Sequence, residues 1–312
     1  MPSKHKPRAG SLQFWPRVRS KRQYANIKAW AKKDKILAFA GYKVGMTHIL
    51  KNNPNSKTIK NISVPVTIIE CPPLKSFSLR FYKKTFYGPK ILSEVLAKKH
   101  NKELARKISL PKKESEQKIP ENYDFLKLMV HTQPKLTGIG KKKPELFEIL
   151  IPNNLEEAKK LLESELKVSE IFNAGQFVDI HSITKGKGFQ GPVKRFGISL
   201  KSHKSEKKRR APGNLGSFTP RKVDWRVPQH GQLGFFKRTE YNKQIYLIDN
   251  NPEKINQKGG VKGYGEVKND FVLIKGSIPG PKKRLIIFSD TIRNKKDSSA
   301  PEIVYISQES KQ

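Results

Sequence analysis

The residues best placed to do chemistry in this 312-residue chain lie in Gly186-Lys-Gly188-Phe-Gln-Gly191-Pro-Val193. The spacing satisfies GxGxxG, and even GxGxxGxV, directly after the strand-like FVDIHSIT (177–184). A dinucleotide site would continue into a helix and place an acid about 20 positions on. PVKRFG follows instead, and the segment near position 210 reads KKRRAPG. A kinase would add a lysine strand, an HRD-type loop and DFG. Asp124-Phe125 is followed by Leu and Asp270-Phe271 by Val, so that set is missing. What remains is anion binding. Gly186, Gly188 and Gly191 allow close backbone approach to a phosphate, with Lys185, Lys187, Lys194 and Arg195 as counter-charge.

Further cations cluster downstream. KSHKSEKKRR (201–210) carries Lys201, Lys204, Lys207, Lys208, Arg209 and Arg210, and His203 within it is suited to donate to a phosphate or base edge. Such a run is usually a solvated face, but its glycine-loop neighbour favours phosphate contact. Trp225 stands in RKVDWRVPQHGQ beside Arg221, Lys222 and Arg226, with no apolar partners at helical or strand spacing, which favours stacking on a base. Lys237 and Arg238 close the basic stretch. At the N-terminus, Arg8, Arg17, Arg19, Lys21 and Arg22 alternate with Phe14 and Trp15, which pairs cations for phosphates with flat rings for bases.

Other chemistries find no footing. The seven histidines show no HxH or HxxxH spacing, and Cys71 is the only cysteine, so no cysteine-based zinc site or internal disulfide is expected. No GxSxG occurs, and the paired carboxylates Glu156-Glu157 suit a helix N-terminus. Neither an enzyme nor a cofactor is indicated.

The elements that position these residues follow from charge and periodicity. Lys and Arg number 64 against 27 Asp and Glu, a formal charge of +37. A domain so charged repels itself unless a polyanion neutralises it. Nucleic acid fits; a membrane would favour a basic helix with one apolar face, and no basic run has one. No apolar run approaches the ~18 residues needed to span a bilayer. Residues 1–33 hold ten Lys or Arg and no acid, with neither helical nor strand period, so they read as an arm, disordered when free. Without an apolar h-region they do not read as a signal peptide, but their lack of acids resembles a transit peptide. ILAFAGYKVGMTHIL, VPVTIIE (64–70), FSLRFYK (77–83) and FVDIHSIT read as strands, as do QIYLID, FVLIKG, RLIIFSD and EIVYIS near the C-terminus. Helical spacing appears over 91–107, and a second helix is expected from Asn154 with Glu157 completing a capping box; Leu155, Ala158, Leu161, Leu162 and Leu166 form its stripe. Seven glutamates against three lysines over 145–170 place that section away from RNA. Residues 185–243 carry sixteen Lys or Arg against three acids and lack apolar periodicity. The organisation expected is a basic extension (1–35), the first part of a mostly β, barrel-like core (36–88), an α/β insert (89–172), the core remainder (173–184 and 244–312) and a basic excursion (185–243).

PRAGSLQFWPRVRSKR (7–22), AGYKVGMTHIL (40–50), TKGKGFQGPVKRFGI (184–198), SHKSEKKRR (202–210), VDWRVPQHGQLGFFKRTEYNK (223–243) and IKGSIPGPKKR from Ile274 together resemble the large-subunit ribosomal protein three family. The resemblance is to its archaeal and eukaryotic branch, the length points to an archaeal member, and the matches run from residue 7 to about 288. It implies a closed six-stranded barrel of the translation-factor kind with an α/β insert. It also implies two extensions entering large-subunit ribosomal RNA, contacts with neighbouring ribosomal proteins, a role early in subunit assembly and a cytoplasmic location. By that similarity Trp225 lies near the tip of the central extension, toward the peptidyl-transferase region, without taking part in chemistry. Relatives often carry Tyr-His where Phe235-Phe236 stands here, so a role carried by that histidine does not transfer. Neither a membrane nor a small-molecule substrate is implied. The competing expectations are a dissociable assembly factor or RNA chaperone, and a nucleotide-dependent enzyme resting on the glycine loop.

Overall fold

The computed structural model describes residues 7–53, 60–111, 119–204, 207–293 and 299–309. Glu206, one of the three acids of the basic stretch, lies outside them. In chain order the strands are β1 (Ala38–Asn52), β2 (Asn61–Glu70), β3 (Leu74–Thr85), β4 (Gly88–Leu96), β5 (Phe125–His131), β6 (Leu146–Leu150) and β7 (Glu165–Leu166), followed by β8 (Phe177–Ile183), β9 (Phe189–Gln190), β10 (Gly231–Gln232), β11 (Lys237–Asp249), β12 (Phe271–Lys275), β13 (Leu285–Asp290) and β14 (Ile303–Ile306). The α-helices are α1 (Leu155–Glu163), α2 (Val168–Ile171) and α3 (Pro192–Phe196), so the chain is mostly β as expected.

Two compact units emerge: Met1–Arg22 with Ile183–Lys237, and Gln23–Ser182 with Arg238–Gln312. The second, larger unit holds two sheets. In the first the strand order is β13-β8-β11-β12-β2-β1-β14, and β13 pairs also with β1. The hydrogen-bonded ladder of six strands therefore returns to its start, with β14 added beyond β1. Its strands are buried along near-continuous apolar runs: Phe39, Val66, Ile69, Ile180, Phe271, Leu273, Ile286 and Phe288 are fully buried. A sheet whose ends meet leaves no edge to cover.

The second sheet runs β4-β3-β5-β6, with β7 on β3. This corrects the reading of 91–107 as one helix. Residues 91–96 are strand, paired antiparallel to β3, and a 3-10 helix follows at Lys102–Arg106. ILSEVL fits both periods over so short a span, and the hydrogen bonds of β3 decide between them. β3 belongs to this sheet rather than to the six-stranded ladder, and β5 and β6 were not anticipated. The second expected helix is present as α1, capped by the Asn154 side chain accepting from the Glu156 N–H at 3.1 Å. Ala158 of its stripe is buried; Leu155, Leu161 and Leu162 pack partly buried against the core, while buried Leu166 falls in β7.

Buried carboxylates tie loops to this unit. Glu70, fully buried, accepts from the Tyr264 hydroxyl, from the Lys268 and Asn269 N–H groups at 2.9 and 3.1 Å, and from Asn269 Nδ2 at 2.7 Å. Asp179 accepts from the Asn242 and Ile292 N–H groups. Asp290 takes Lys33 at 2.9 Å and Lys35 at 2.7 Å. Glu70 and Asp179 thus satisfy donors of the loops packed on them, while Asp290 is itself neutralised by two lysines that reach solvent.

Candidate nucleic-acid interface

The smaller unit is built on a narrow antiparallel ladder. β9 pairs with β10, and the ladder continues toward Thr184 and Phe236 through Lys187 N–H to Leu233 O (2.9 Å), Leu233 N–H to Gly188 O (2.9 Å) and Thr184 N–H to Phe236 O (3.0 Å). Gly234 is required here: its φ is +78°, and an added Cβ would collide with the Lys185 carbonyl. The glycine loop is therefore one rail of a hairpin-like ladder. PVKRF does form a helix, which the sequence reading had not expected. That helix, α3, is only five residues long and ends on Gly197 in the left-handed region (φ +73°). A strand, a glycine loop and a helix do follow in order. However, the Lys187 N–H is already committed to Leu233, and one helical turn cannot make the crossover of a dinucleotide fold.

Aromatic rings join the N-terminal segment to this ladder. Trp15 stacks on Phe196 at 5.8 Å between centroids and meets Trp225 edge-on at 5.2 Å. The Arg17 guanidinium lies 4.2 Å from the Phe196 centroid and donates to the Arg195 carbonyl at 2.7 Å; Arg8 donates to the Arg226 carbonyl at 2.6 Å. Residues 7–22 and 183–237 therefore share one cluster, although more than two hundred positions separate Trp15 from Trp225.

Among the expected contact residues, some face solvent and some are used internally. Arg8, Phe14, Arg19, Lys21, Arg22, Lys185, Lys187, Lys194, Lys201, His203, Lys204, Lys207, Lys208, Arg209, Arg210, Arg221, Lys222, Arg226 and Lys237 are exposed, as are Gly186, Gly188 and Gly191. Trp225 remains 59% exposed, with the Arg226 guanidinium 5.5 Å from its ring. Trp15, Arg17, Arg195 and Arg238 are half-buried. Arg195 donates to the carbonyls of Gln232 (3.0 Å), Gln229 (3.0 Å) and His230 (3.4 Å), and so clamps the ladder. Burial lowers its pKa, as it does that of Arg238. Lys237 and Arg238 sit on β11.

The structure also joins residues far apart in sequence. Gly191 and Pro192 line an open cleft of about 670 Å³ with Lys207, Lys208, Arg209, Arg210, Leu215 and His230. The Lys201 N–H donates to the Arg209 carbonyl at 3.1 Å, folding the run 201–210 on itself. Three rings were overlooked in the sequence. Phe189 is 65% exposed beside His230, Phe218 is 77% exposed under the Arg221 guanidinium at 4.8 Å, and Phe196 anchors the aromatic cluster. Their signal was the interleaving of rings with cations that had drawn attention to Trp225. Among the described residues, Lys185, Lys187, Lys194, Lys201, Lys204, Lys207, Lys208, Arg209, Arg210, Arg221 and Lys222 make no ion pair with any carboxylate, whereas the larger unit pairs Lys33, Lys35, Lys75, Arg80 and Lys127.

The comparisons agree over the whole length. The family model described as Ribosomal protein L3 matches residues 1–312. The chain belongs to the ribosomal protein L3 family. Within that family it is 46% identical over 332 aligned positions to the large ribosomal subunit protein uL3 of Methanobrevibacter smithii, covering 99% of this chain and 98% of the relative. It is 44% identical to the uL3 proteins of Methanococcus aeolicus and Archaeoglobus fulgidus, over 99% of this chain in each case and 98% of each relative. These L3 relatives are archaeal, in accord with the branch to which the sequence motifs pointed.

Proposed function

We propose that this chain is a structural constituent of the large ribosomal subunit, located on the cytoplasmic ribosome, and that it binds large-subunit ribosomal RNA without catalysis. It supports early subunit assembly and contacts neighbouring ribosomal proteins. The observation that carries this reading is the smaller unit itself. Lys185, Lys187, Lys194, Lys201 and the run from Lys207 to Arg210 lack carboxylate partners among the described residues and stand among exposed rings, on a chain that belongs to the L3 family. Cations left unpaired by protein are available to displace counterions from phosphates.

In this reading the six-stranded ladder is the closed barrel, and residues 1–35 and 185–243 are the RNA-facing extensions. The insert (89–172) faces away from RNA apart from the hairpin tip considered below. The exposed residues of the smaller unit contact phosphate or base, and Arg17, Arg195 and Trp15 hold the extensions in shape. Trp225 lies toward the peptidyl-transferase region. Sedimentation in a sucrose gradient under gentle salt tests the assignment: the chain should travel with large subunits and translating ribosomes. Release from both, or confinement to immature particles, would overturn it, the latter in favour of an assembly factor.

A further inference from the structure

Outside the two extensions, the most exposed apolar residues lie at the turn between β3 and β4. Phe86 and Tyr87 are 98% and 97% exposed, and their rings touch only each other, edge to face at 5.5 Å. Two bare rings carry a hydration cost that a monomeric surface rarely retains. The turn that presents them is firmly built. Thr85 pairs with Gly88, the Thr85 hydroxyl donates to the Gly88 carbonyl at 2.6 Å, and Gly88 takes φ +115°. Asp124 accepts from the Lys84 N–H and holds the base of the hairpin.

Three lysines flank the rings. Lys83 and Lys90 stand directly opposite each other across the two strands, and Lys84 follows. Like charges in that position destabilise a hairpin. Among the described residues, none of the three lysines has a carboxylate partner. An anion set between Lys83 and Lys90 would relieve the repulsion, and flat partners would cover the rings. Unpaired nucleotides supply both at once, a phosphate for the lysines and a π-face for each ring.

We propose that the β3–β4 hairpin tip, residues 83–90, is a third RNA contact of this chain, where Phe86 and Tyr87 stack on unpaired bases and Lys83, Lys84 and Lys90 hold the adjoining phosphates. The proposal rests on the ribosomal reading above but uses none of its residues. Trypsin would release the tip as Thr85-Phe-Tyr-Gly-Pro-Lys90. Ultraviolet crosslinking of intact large subunits, followed by mapping of nucleotide-modified peptides, should find a nucleotide adduct on that peptide. In subunits carrying Phe86→Ser with Tyr87→Ser, the crosslinked bases should gain reactivity toward chemical probes by about 5-fold or more, the lower end of what losing one base–aromatic stack is worth. Both side chains are exposed, so the variant should fold and sediment as before.

If extension peptides carry adducts and peptide 85–90 does not, the tip proposal fails while the ribosomal assignment stands. Linkage of Lys84 or Lys90 to another protein by a lysine-reactive bifunctional reagent, with no nucleotide adduct, would overturn it in favour of a protein partner. Loss of the chain from large subunits altogether would instead count against the assignment.

Discussion

At the scale of single residues, the larger unit depends on carboxylates placed where water cannot reach. Burial works against ionisation of Asp290, but the bonds from Lys35 and Lys33 outweigh it and hold the carboxyl below its ordinary range. A depressed carboxyl stabilises the fold fully above the unfolded value, near pH ~4, and that contribution is lost as pH falls through the folded value. Urea midpoints measured from pH 7 down to 3 should therefore fall at the acid end, and Asp290→Asn should flatten that fall. Glu70→Ala should cost about 3 kcal/mol or more, because it strands four donors in the core. Thermal unfolding would register that loss. In the smaller unit, Trp15→Ala removes two ring contacts worth about 0.5–1.5 kcal/mol each beyond their buried area. Limited proteolysis should then cut residues 7–22 sooner than in the unaltered chain.

At the scale of elements, the ladder around the glycine loop is the piece most sensitive to a small change. Gly234→Ala would place a Cβ on the Lys185 carbonyl at a φ that L residues rarely adopt. The ladder from Lys185 to Phe236 should open, with amide exchange at Lys187 and Leu233 accelerating while the β1–β2 amides keep their protection. The same hydrogen-bond argument explains the misjudged insert. Its apolar residues are spaced ambiguously, and β3 offers a partner on each side, so strand pairing won over local helix preference at 91–96. β5 was legible in principle, since FLKLMVH alternates buried and half-buried positions, but its two strand neighbours, β3 and β6, lie elsewhere in sequence.

At the scale of the whole molecule, charge is divided between the units. The acids concentrate where they pair with lysines of the larger unit, whereas among the described residues Lys185, Lys187, Lys194, Lys201, Lys207, Lys208, Arg209 and Arg210 of the smaller unit make no ion pair with a carboxylate. Replacing Lys207, Lys208, Arg209 and Arg210 by Ala should reduce the slope of log affinity for ribosomal RNA against log salt by up to about 0.7–0.9 per lost phosphate contact. An unchanged slope from filter-binding titrations would return that run to a solvated surface. Trp225→Ala is exposed enough to leave the larger unit folded, and chemical probing of the peptidyl-transferase region should show altered reactivity.

Sequence alone determined the strands of the six-membered ladder and the two basic stretches, because each rests on local period or composition. Tertiary structure decided three things that local pattern cannot encode. It joined Trp15 to Trp225 and Phe196, set the Arg195 guanidinium as a clamp on three carbonyls, and left Phe86 and Tyr87 bare at a hairpin tip. The physical reason is common to all three. Whether a ring or guanidinium is spent inside the protein depends on which distant backbone or ring arrives beside it, and that is fixed only when the chain has folded.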